Sequence, residues 1–128
     1  ARELAAITGA VVLLKGAGTV AASPEGRAIL NGTGGPTLAT GGSGDVLTGL
    51  VAALLAQGVE TLEAAALAAY IHGLAGDRIA RRRGEAGLMA RELAEELPGA
   101  MQQLREEGRK GVQGSDEGSA TLLRFPGS

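Results

Sequence analysis

The segment from Thr40 to Asp45 has glycine at positions 41, 42 and 44, and an apolar helical pattern follows it directly. Glycine lets the backbone approach a ligand closely and adopt positive φ angles. The glycine amides, together with the unpaired amides of the helix's first turn, would form a concave set of donors for an anion. The segment therefore predicts a phosphate-binding loop at a helix N-terminus.

Asp45 stands at the start of that helix and has two interpretations. Aspartate is among the best N-cap residues, so Asp45 could simply cap the helix. Alternatively, it could be a general base that takes the proton from a substrate hydroxyl while the amides hold a phosphoryl group. The glycines around it favour the second interpretation, because a cap does not need them. The loop lacks the Gly-Lys-Ser/Thr ending of a P-loop and the third glycine of a dinucleotide-binding fingerprint.

Lys15 and His72 are the other candidates for chemistry. Lys15 ends a predicted strand and precedes Gly16-Ala-Gly-Thr19, so it could reach a nucleotide phosphate, with Thr19 adding a hydroxyl. The alternative for Lys15 is a surface lysine in a turn. His72 is the only histidine and lies in a helical pattern, where a packed or half-exposed side chain is expected. No second ligand at metal spacing accompanies it, so no metal site is predicted.

Composition and charge narrow the class of protein. A length of 128 residues, with 45% apolar and 20% charged residues, predicts one soluble globular domain. The net charge is −2 and no basic stripe is present, which argues against a nucleic-acid partner. We expect the short basic run Arg81-Arg-Arg83 to be a solvated helix C-terminus. No apolar run reaches the length of a membrane span. The absence of cysteine is compatible with a cytoplasmic location.

The first thirty residues predict a helix end followed by strands. Residues 2–7 resemble the end of a helix, and the continuously apolar residues 10–14 predict a buried strand of a parallel sheet. Residues 19–22 and 27–30 predict two further strands, joined by a turn at Ser23-Pro-Glu-Gly26. We expect these strands to join a sheet that the later helices cover; the α/β class itself is what the family resemblance given below implies.

Three helices are predicted after the glycine loop. The first spans residues 46–57, and its buried positions would be Val46, Leu47, Leu50, Val51, Leu54 and Leu55. The second spans residues 61–82 and is broken by Gly84 to Gly87. The third spans residues 89–107, with Pro98 dividing it near the middle. We expect residues 108–128 to be a mobile, Gly/Ser-rich tail in which 120–125 could add an edge strand.

Several motifs together resemble one enzyme family. They are Lys15-Gly-Ala-Gly-Thr19, Asn31-Gly-Thr-Gly34, Ala39-Thr-Gly-Gly-Ser-Gly-Asp-Val-Leu-Thr-Gly49, Ala53-Leu-Leu-Ala-Gln-Gly58 and His72-Gly-Leu-Ala-Gly-Asp77. The chain resembles, over residues 1–104, the ADP/ATP-dependent NAD(P)H-hydrate dehydratases, a branch of the ribokinase-like superfamily. The resemblance implies that residues 1–107 are the C-terminal part of a ribokinase-like three-layer α/β/α fold.

The resemblance also implies a reaction and a set of site residues. The family repairs hydrated NADH and NADPH by phosphorylating the ring hydroxyl and expelling it as phosphate, using ADP or ATP with Mg²⁺. Use of ADP would yield AMP and phosphate. Asp45 would be the catalytic base and would contact the hydrated nicotinamide. The anion hole would be Gly41, Gly42, Ser43 and Gly44. The nucleotide would contact Lys15, Gly16, Ala17, Gly18, Thr19 and Gly44.

The chain departs from the family in two respects. Gly35-Pro-Thr-Leu38 replaces a common Asn-Pro-Gly-Met, which affects the contacts expected at the start of the loop. The family's fold also has an N-terminal half without a counterpart here, so we expect a homo-oligomer or pairing with that half. Two alternatives remain: a sugar or vitamin kinase, and a nucleotide-binding fragment without activity of its own. Such kinases typically have an acidic residue before the loop's threonine, whereas Ala39 precedes Thr40.

Overall fold

The computed structural model describes residues 1–114, which form a mixed α/β structure and so confirm the expected class. The elements in chain order are α1 (Arg2–Thr8), β1 (Val12–Leu14), β2 (Val20–Ala22), β3 (Ala28–Leu30), a 3₁₀ helix (Pro36–Leu38), α2 (Ser43–Ala56), α3 (Thr61–Arg83) and α4 (Ala90–Gly114). Among these helices none is both long enough and apolar enough to cross a bilayer.

The strands form an antiparallel sheet in the order β1-β2-β3. Leu13 is paired with Ala21, and Ala21 is paired in turn with Ile29. The turn between β2 and β3 is the predicted one, with the Ser23 amide donating to the Arg27 carbonyl at 2.9 Å. The expectation that β1 is a buried strand paired in parallel is wrong for residues 1–114. β1 is an edge strand paired antiparallel with β2, and this leaves Leu14 54% exposed.

The core lies between α2, α3 and α4. Its larger members are Leu47, Leu50, Leu54, Leu67, Ile71, Leu74, Ile79, Leu88 and Leu93. The predicted apolar face of α2 is correct except at Leu55, which is 41% exposed. A smaller cluster joins Ala21 of β2 to Leu62 and Ala65 of α3, and so attaches the sheet to the helices.

α3 is the central helix, and thirteen of its residues are buried. Its basic C-terminus is not simply solvated as expected, since two of the three arginines bind α4. Arg82 donates to Glu96 at 2.7 Å, and Arg83 donates to Glu92 at 2.6 Å. These ion pairs fix the end of α3 against the start of α4.

α4 is one continuous helix, so the expected division at Pro98 is wrong. Proline removes one hydrogen bond, here the one that the Ala94 carbonyl would accept. Both Pro98 and Ala94 are exposed, so water can satisfy that carbonyl, while Leu93 and Ala100 on either side are fully buried. The helix also runs past Glu107, and the tail boundary expected at Gly108 falls inside it. The possible strand at 120–125 lies outside the described residues.

Candidate active site

A cavity of about 800 Å³ opens between the β1–β2 loop and α3. One wall is the predicted nucleotide-binding segment, Lys15 to Thr19, which forms the hairpin loop between the two strands. The opposite wall is the segment from Leu30 to Ala39, excluding Thr37, and His72 lines the interior. The structure therefore brings all five residues of the predicted nucleotide segment to one cavity.

Beside this cavity, α2 begins with a tight glycine turn. Gly42 is the N-cap, with φ of +84°, in the left-handed region that favours glycine. An added Cβ at Gly42 would also lie 3.0 Å from the Ala90 side chain. Asp45 therefore does not cap the helix, and the capping interpretation of this residue is wrong. Asp45 lies within the first turn of α2, and its side chain is exposed.

Some backbone N–H groups of the glycine loop donate hydrogen bonds within the protein, and others are free. The Ser43 amide donates to the Thr40 carbonyl at 3.2 Å, and the Asp45 amide donates to the Gly42 carbonyl at 3.1 Å. The amides of Gly41, Gly42 and Gly44 have no acceptor among residues 1–114. Three of the four predicted anion-hole residues therefore present free N–H groups, while Ser43 uses its own amide within the loop.

Lys15 lies against this helix start. Its Nζ is 3.2 Å from Ser43 Oγ and would lie 3.9 Å from a Cβ added at Gly44. Ser43 Oγ in turn donates to the Leu38 carbonyl at 2.8 Å. An ammonium group is thus adjacent to Gly44, one of the glycines with a free amide, which is a combination suited to a phosphate group.

His72 is buried, with 2% of its surface exposed, and its Nε2 lies 2.8 Å from the Ser43 carbonyl. Because a carbonyl only accepts, Nε2 must carry the proton. Burial lowers the pKa of His72, although the bond to Ser43 opposes this, and nearby Lys15 lowers the pKa further. The packed side chain expected from the sequence is confirmed, but its bond to the glycine loop was not anticipated.

Polar side chains attach the segment between β3 and α2 to α3. The Asn31 amide donates to the carbonyls of Thr33 and Ala69, at 3.0 and 3.2 Å. The Thr33 hydroxyl donates to the Tyr70 carbonyl at 2.8 Å, and the Gly34 amide donates to Asp77 Oδ2 at 3.0 Å. Sequence reasoning assigned no role to these residues. The Asn-Gly-Thr-Gly spacing was the available signal, since asparagine commonly bonds the backbone two residues ahead.

Two glycines of α3, Gly73 and Gly76, allow the segment between β3 and α2 to lie directly against the helix backbone. A Cβ at Gly73 would lie 2.6 Å from the Thr33 backbone carbon, so a larger residue would push the loop away from the helix. Gly76 similarly faces Leu38, with a side-chain carbon 2.8 Å from the Cβ position. The floor of the cavity is therefore fixed by direct contact between the loop and the α3 backbone.

The described residues do not form a metal site by themselves. They contain no group of three or more His, Cys, Asp or Glu side chains that could hold an ion. Mg²⁺ requires near-octahedral oxygen coordination. The Mg²⁺ that the sequence resemblance implies therefore has no protein cage among residues 1–114 and would be held largely by the nucleotide phosphates and water.

Comparison with known proteins identifies a family. The model of the NAD(P)H-hydrate dehydratase family matches residues 1–99. A bifunctional NAD(P)H-hydrate repair enzyme of Moorella thermoacetica is 54% identical over 98 residues, which are 77% of this chain and 18% of that protein. The ADP-dependent (S)-NAD(P)H-hydrate dehydratase of Neisseria meningitidis is 50% identical over 94 residues, which are 73% of this chain and 32% of that protein.

A solved structure has the same fold over the shared region. The ADP/ATP-dependent NAD(P)H-hydrate dehydratase of Bacillus subtilis, co-crystallized with ATP and Mg²⁺, superimposes with a TM-score of 0.74 at 38% identity. The match covers 80% of this chain and 37% of the solved one, so the chain spans well under half of these relatives. By its sequence, its fold and its glycine loop, this chain belongs to the NAD(P)H-hydrate dehydratase family.

Proposed function

We propose that this chain is the nucleotide- and phosphate-binding part of an ADP-dependent NAD(P)H-hydrate dehydratase. The observation that carries the proposal is the set of free amides at Gly41, Gly42 and Gly44, with the Lys15 ammonium beside them. These donors would hold the phosphoryl group that is transferred. Family membership supplies the reaction in which such a site takes part.

The cavity next to Lys15 suits the nucleoside part of the co-substrate. It is bounded by backbone-rich residues of the β1–β2 loop, Lys15 to Thr19, and by apolar side chains such as Leu30 and Leu38. A flat base can pack on apolar walls while backbone groups contact its edge. Lys15 stands at the boundary between the cavity and the amides, where the phosphates of a bound ADP would lie.

Asp45 would act on the second substrate. Its exposed carboxylate follows the free Gly44 amide directly and makes no hydrogen bond or ion pair within residues 1–114. It would accept the proton of the ring hydroxyl of hydrated NADH or NADPH as that oxygen attacks the β-phosphorus of ADP and AMP leaves. Phosphate then leaves the ring carbon while a proton is lost from the neighbouring ring carbon, and this restores the double bond. The balance is hydrated NAD(P)H plus ADP to NAD(P)H, AMP and phosphate.

The rest of the site would come from residues beyond this match. β1 has a free edge within the described range, and α1 packs against it. An unpaired edge strand can accept another strand. We propose that the N-terminal half of the family's fold, or a second copy of the protein, pairs there in a cytoplasmic assembly. ATP is the alternative co-substrate, and no residue of this chain is assigned to Mg²⁺.

The reaction can be tested directly with the complete protein. Hydrated NADH, ADP and Mg²⁺ are supplied, and recovery of the reduced-nicotinamide absorbance is followed together with formation of AMP. Recovery that requires ADP supports the proposal. Binding of ADP without recovery would leave the nucleotide site standing and contradict the dehydratase reaction.

Asp45→Asn tests the assignment of the base within that assay. Because Asp45 is exposed and does not cap α2, the variant should fold and keep its ADP affinity, losing only the contribution of a negative charge at a helix N-terminus, about 0.3–1 kcal/mol. Its turnover should fall by about two to four orders of magnitude, the usual contribution of a general base. Turnover equal to that of the unmodified protein would make the assignment wrong, even if the reaction itself is correct.

A further inference from the structure

Ser43 makes four hydrogen bonds within residues 1–114 besides those of the regular helix. Its amide donates to the Thr40 carbonyl, and its hydroxyl donates to the Leu38 carbonyl. Lys15 Nζ donates to the same hydroxyl, and His72 Nε2 donates to the Ser43 carbonyl at 2.8 Å. Ser43 is 3% exposed and lies between two of the glycines with free amides. Its orientation therefore sets the direction in which those amides point.

We propose that His72 is a positioning residue, whose bond to the Ser43 carbonyl fixes the first turn of α2 so that the Gly42 and Gly44 amides converge on the phosphoryl group. The inference rests on the proposed function for the identity of that group. The contact itself links residues 29 positions apart, and it is the only side-chain bond from α3 to the glycine loop within residues 1–114. Without it, no side-chain bond within residues 1–114 would join α3 to this loop. The loop's remaining long-range bonds in that range would be those of Lys15 to Ser43 and of Thr40 to the Leu88 carbonyl.

The position of His72 in α3 suits this role. α3 has thirteen buried residues, and the next residue, Gly73, is in direct contact with Thr33 of the opposite cavity wall. One helix thus fixes both the loop that lines the cavity and the loop that presents the amides. Since a neutral imidazole with its proton on Nε2 makes the bond, the ring adds no charge that would compete with Lys15 for the phosphate.

Three substitutions separate this role from simple packing. His72→Gln keeps an N–H donor at nearly the distance of Nε2 from the backbone. His72→Asn has the same amide one carbon shorter and cannot reach the Ser43 carbonyl. His72→Leu fills a similar volume without a donor. If His72 only fills space, the His72→Gln and His72→Asn variants should behave alike. If His72 positions the loop, only His72→Gln should resemble the unmodified protein.

The first measurement needs neither nucleotide nor activity. Amide hydrogen exchange of residues 43–46 is measured on the complete protein without ligand. His72→Leu and His72→Asn should speed exchange by about tenfold, the effect of losing one buried hydrogen bond, and His72→Gln should remain within about threefold. Unchanged exchange in His72→Leu would overturn the inference whatever the reaction is. So would equal exchange in the two amide variants.

The second measurement is ADP affinity, with turnover determined in parallel. The Kd for ADP should rise about tenfold in His72→Leu and His72→Asn and be largely restored in His72→Gln, because the anion hole contacts the phosphates. The KM for hydrated NADH should change less. If all variants bind ADP like the unmodified protein, the positioning role is wrong. If the unmodified protein does not bind ADP, the proposed function fails, and the exchange data still decide the role of His72.

Discussion

Lys15 lies at a position that is unfavourable for a cation as long as no anion is bound beside it. A helix N-terminus carries partial positive charge, and cations near it destabilise the folded state. Lys15 Nζ nevertheless lies 3.2 Å from Ser43, the first residue of α2, and close to Gly44, whose amide is free. No carboxylate forms a salt bridge with Lys15 among the described residues. This concentration of positive charge is understandable if the protein binds phosphate there.

Replacing Lys15 by Met should therefore separate binding from stability. We expect the Kd for ADP to rise by about one to two orders of magnitude, since a charge-assisted bond to phosphate is lost. The melting temperature should stay the same or rise slightly. Lys110→Met is the matched control, because Lys110 is exposed on α4 and far along the chain from the loop. Calorimetric titration and thermal unfolding check both effects, and a loss of affinity in both variants would contradict the assignment.

The geometry of the helix start removes one of the two interpretations of Asp45. From its type it could be a cap or a base, and the position of Gly42 as the N-cap removes the first option. The reason is local, because the left-handed N-cap, Gly42 with φ of +84°, lies three residues before Asp45. The carboxylate is thus left exposed at the positive end of α2, where a negative charge is favoured.

At the scale of helices, α3 and α4 are joined by a charged cluster around Glu96. Glu96 accepts from Arg78 at 2.6 Å and from Arg82 at 2.7 Å, and its side chain is only 13% exposed. Hydrogen bonding to Arg82, with a further bond from Arg78, lowers the pKa of Glu96 to about 2. The cluster keeps α4 against α3, and α3 carries the contacts to both loops of the site.

The lowered pKa of Glu96 gives a pH dependence with a definite sign. Its folded pKa lies below its ordinary value of 4.5, so the stabilisation is complete above pH 4.5 and is lost as the pH falls through about 2. Glu96→Gln should therefore lower the free energy of unfolding by about 1–2 kcal/mol at neutral pH. The difference from the unmodified protein should shrink between pH 4.5 and 2, as measured by denaturant unfolding.

Glu95→Gln is the control for that measurement. Glu95 is adjacent in sequence, but within residues 1–114 its only ion pair is with Arg91 at 3.6 Å, and both side chains are more than two-thirds exposed. Exposed pairs of this kind contribute about 0.2–1 kcal/mol or less. Equal effects of the two substitutions at neutral pH would mean that the Glu96 cluster adds no more than ordinary surface charge.

For the molecule as a whole, the sequence predicted local features better than long-range ones. The helices, the Ser23–Gly26 turn and the helix start after the glycines follow from patterns within a few residues, and these predictions are confirmed. Phosphate binding by the glycine loop stays a prediction. The division at Pro98 was wrong, because propensity alone does not include the packing of Leu93 and Ala100. The bond from His72 to Ser43 joins two distant segments, and no local pattern specifies such a contact.

The sheet shows the same limit on a larger scale. The apolar run at residues 10–14 predicted a strand buried in a parallel sheet, whereas β1 is an antiparallel edge within the described residues. Exposed apolar side chains lie on β1 and on the helix packed against it, with Leu14 54%, Leu4 52% and Ile7 77% exposed. The run is typical of a strand that has neighbours on both sides, and the chain spans only 37% of the solved relative.

Leu14→Lys tests whether that apolar surface is covered in the complete protein. If a further strand or layer packs on β1, the substitution buries a charge and should lower the free energy of unfolding by about 2 kcal/mol or more. Met89→Lys is the control, since Met89 is 63% exposed in the connection between α3 and α4 and should cost no more than about 0.5 kcal/mol. Denaturant unfolding and sedimentation are measured on both variants.

A larger cost at Leu14, accompanied by dissociation of an oligomer, would identify the covering layer as a second copy of the protein. The same cost without dissociation would identify it as another segment of the same chain. Equal, small costs at the two positions would mean that β1 is a true outer edge and that the site is completed elsewhere.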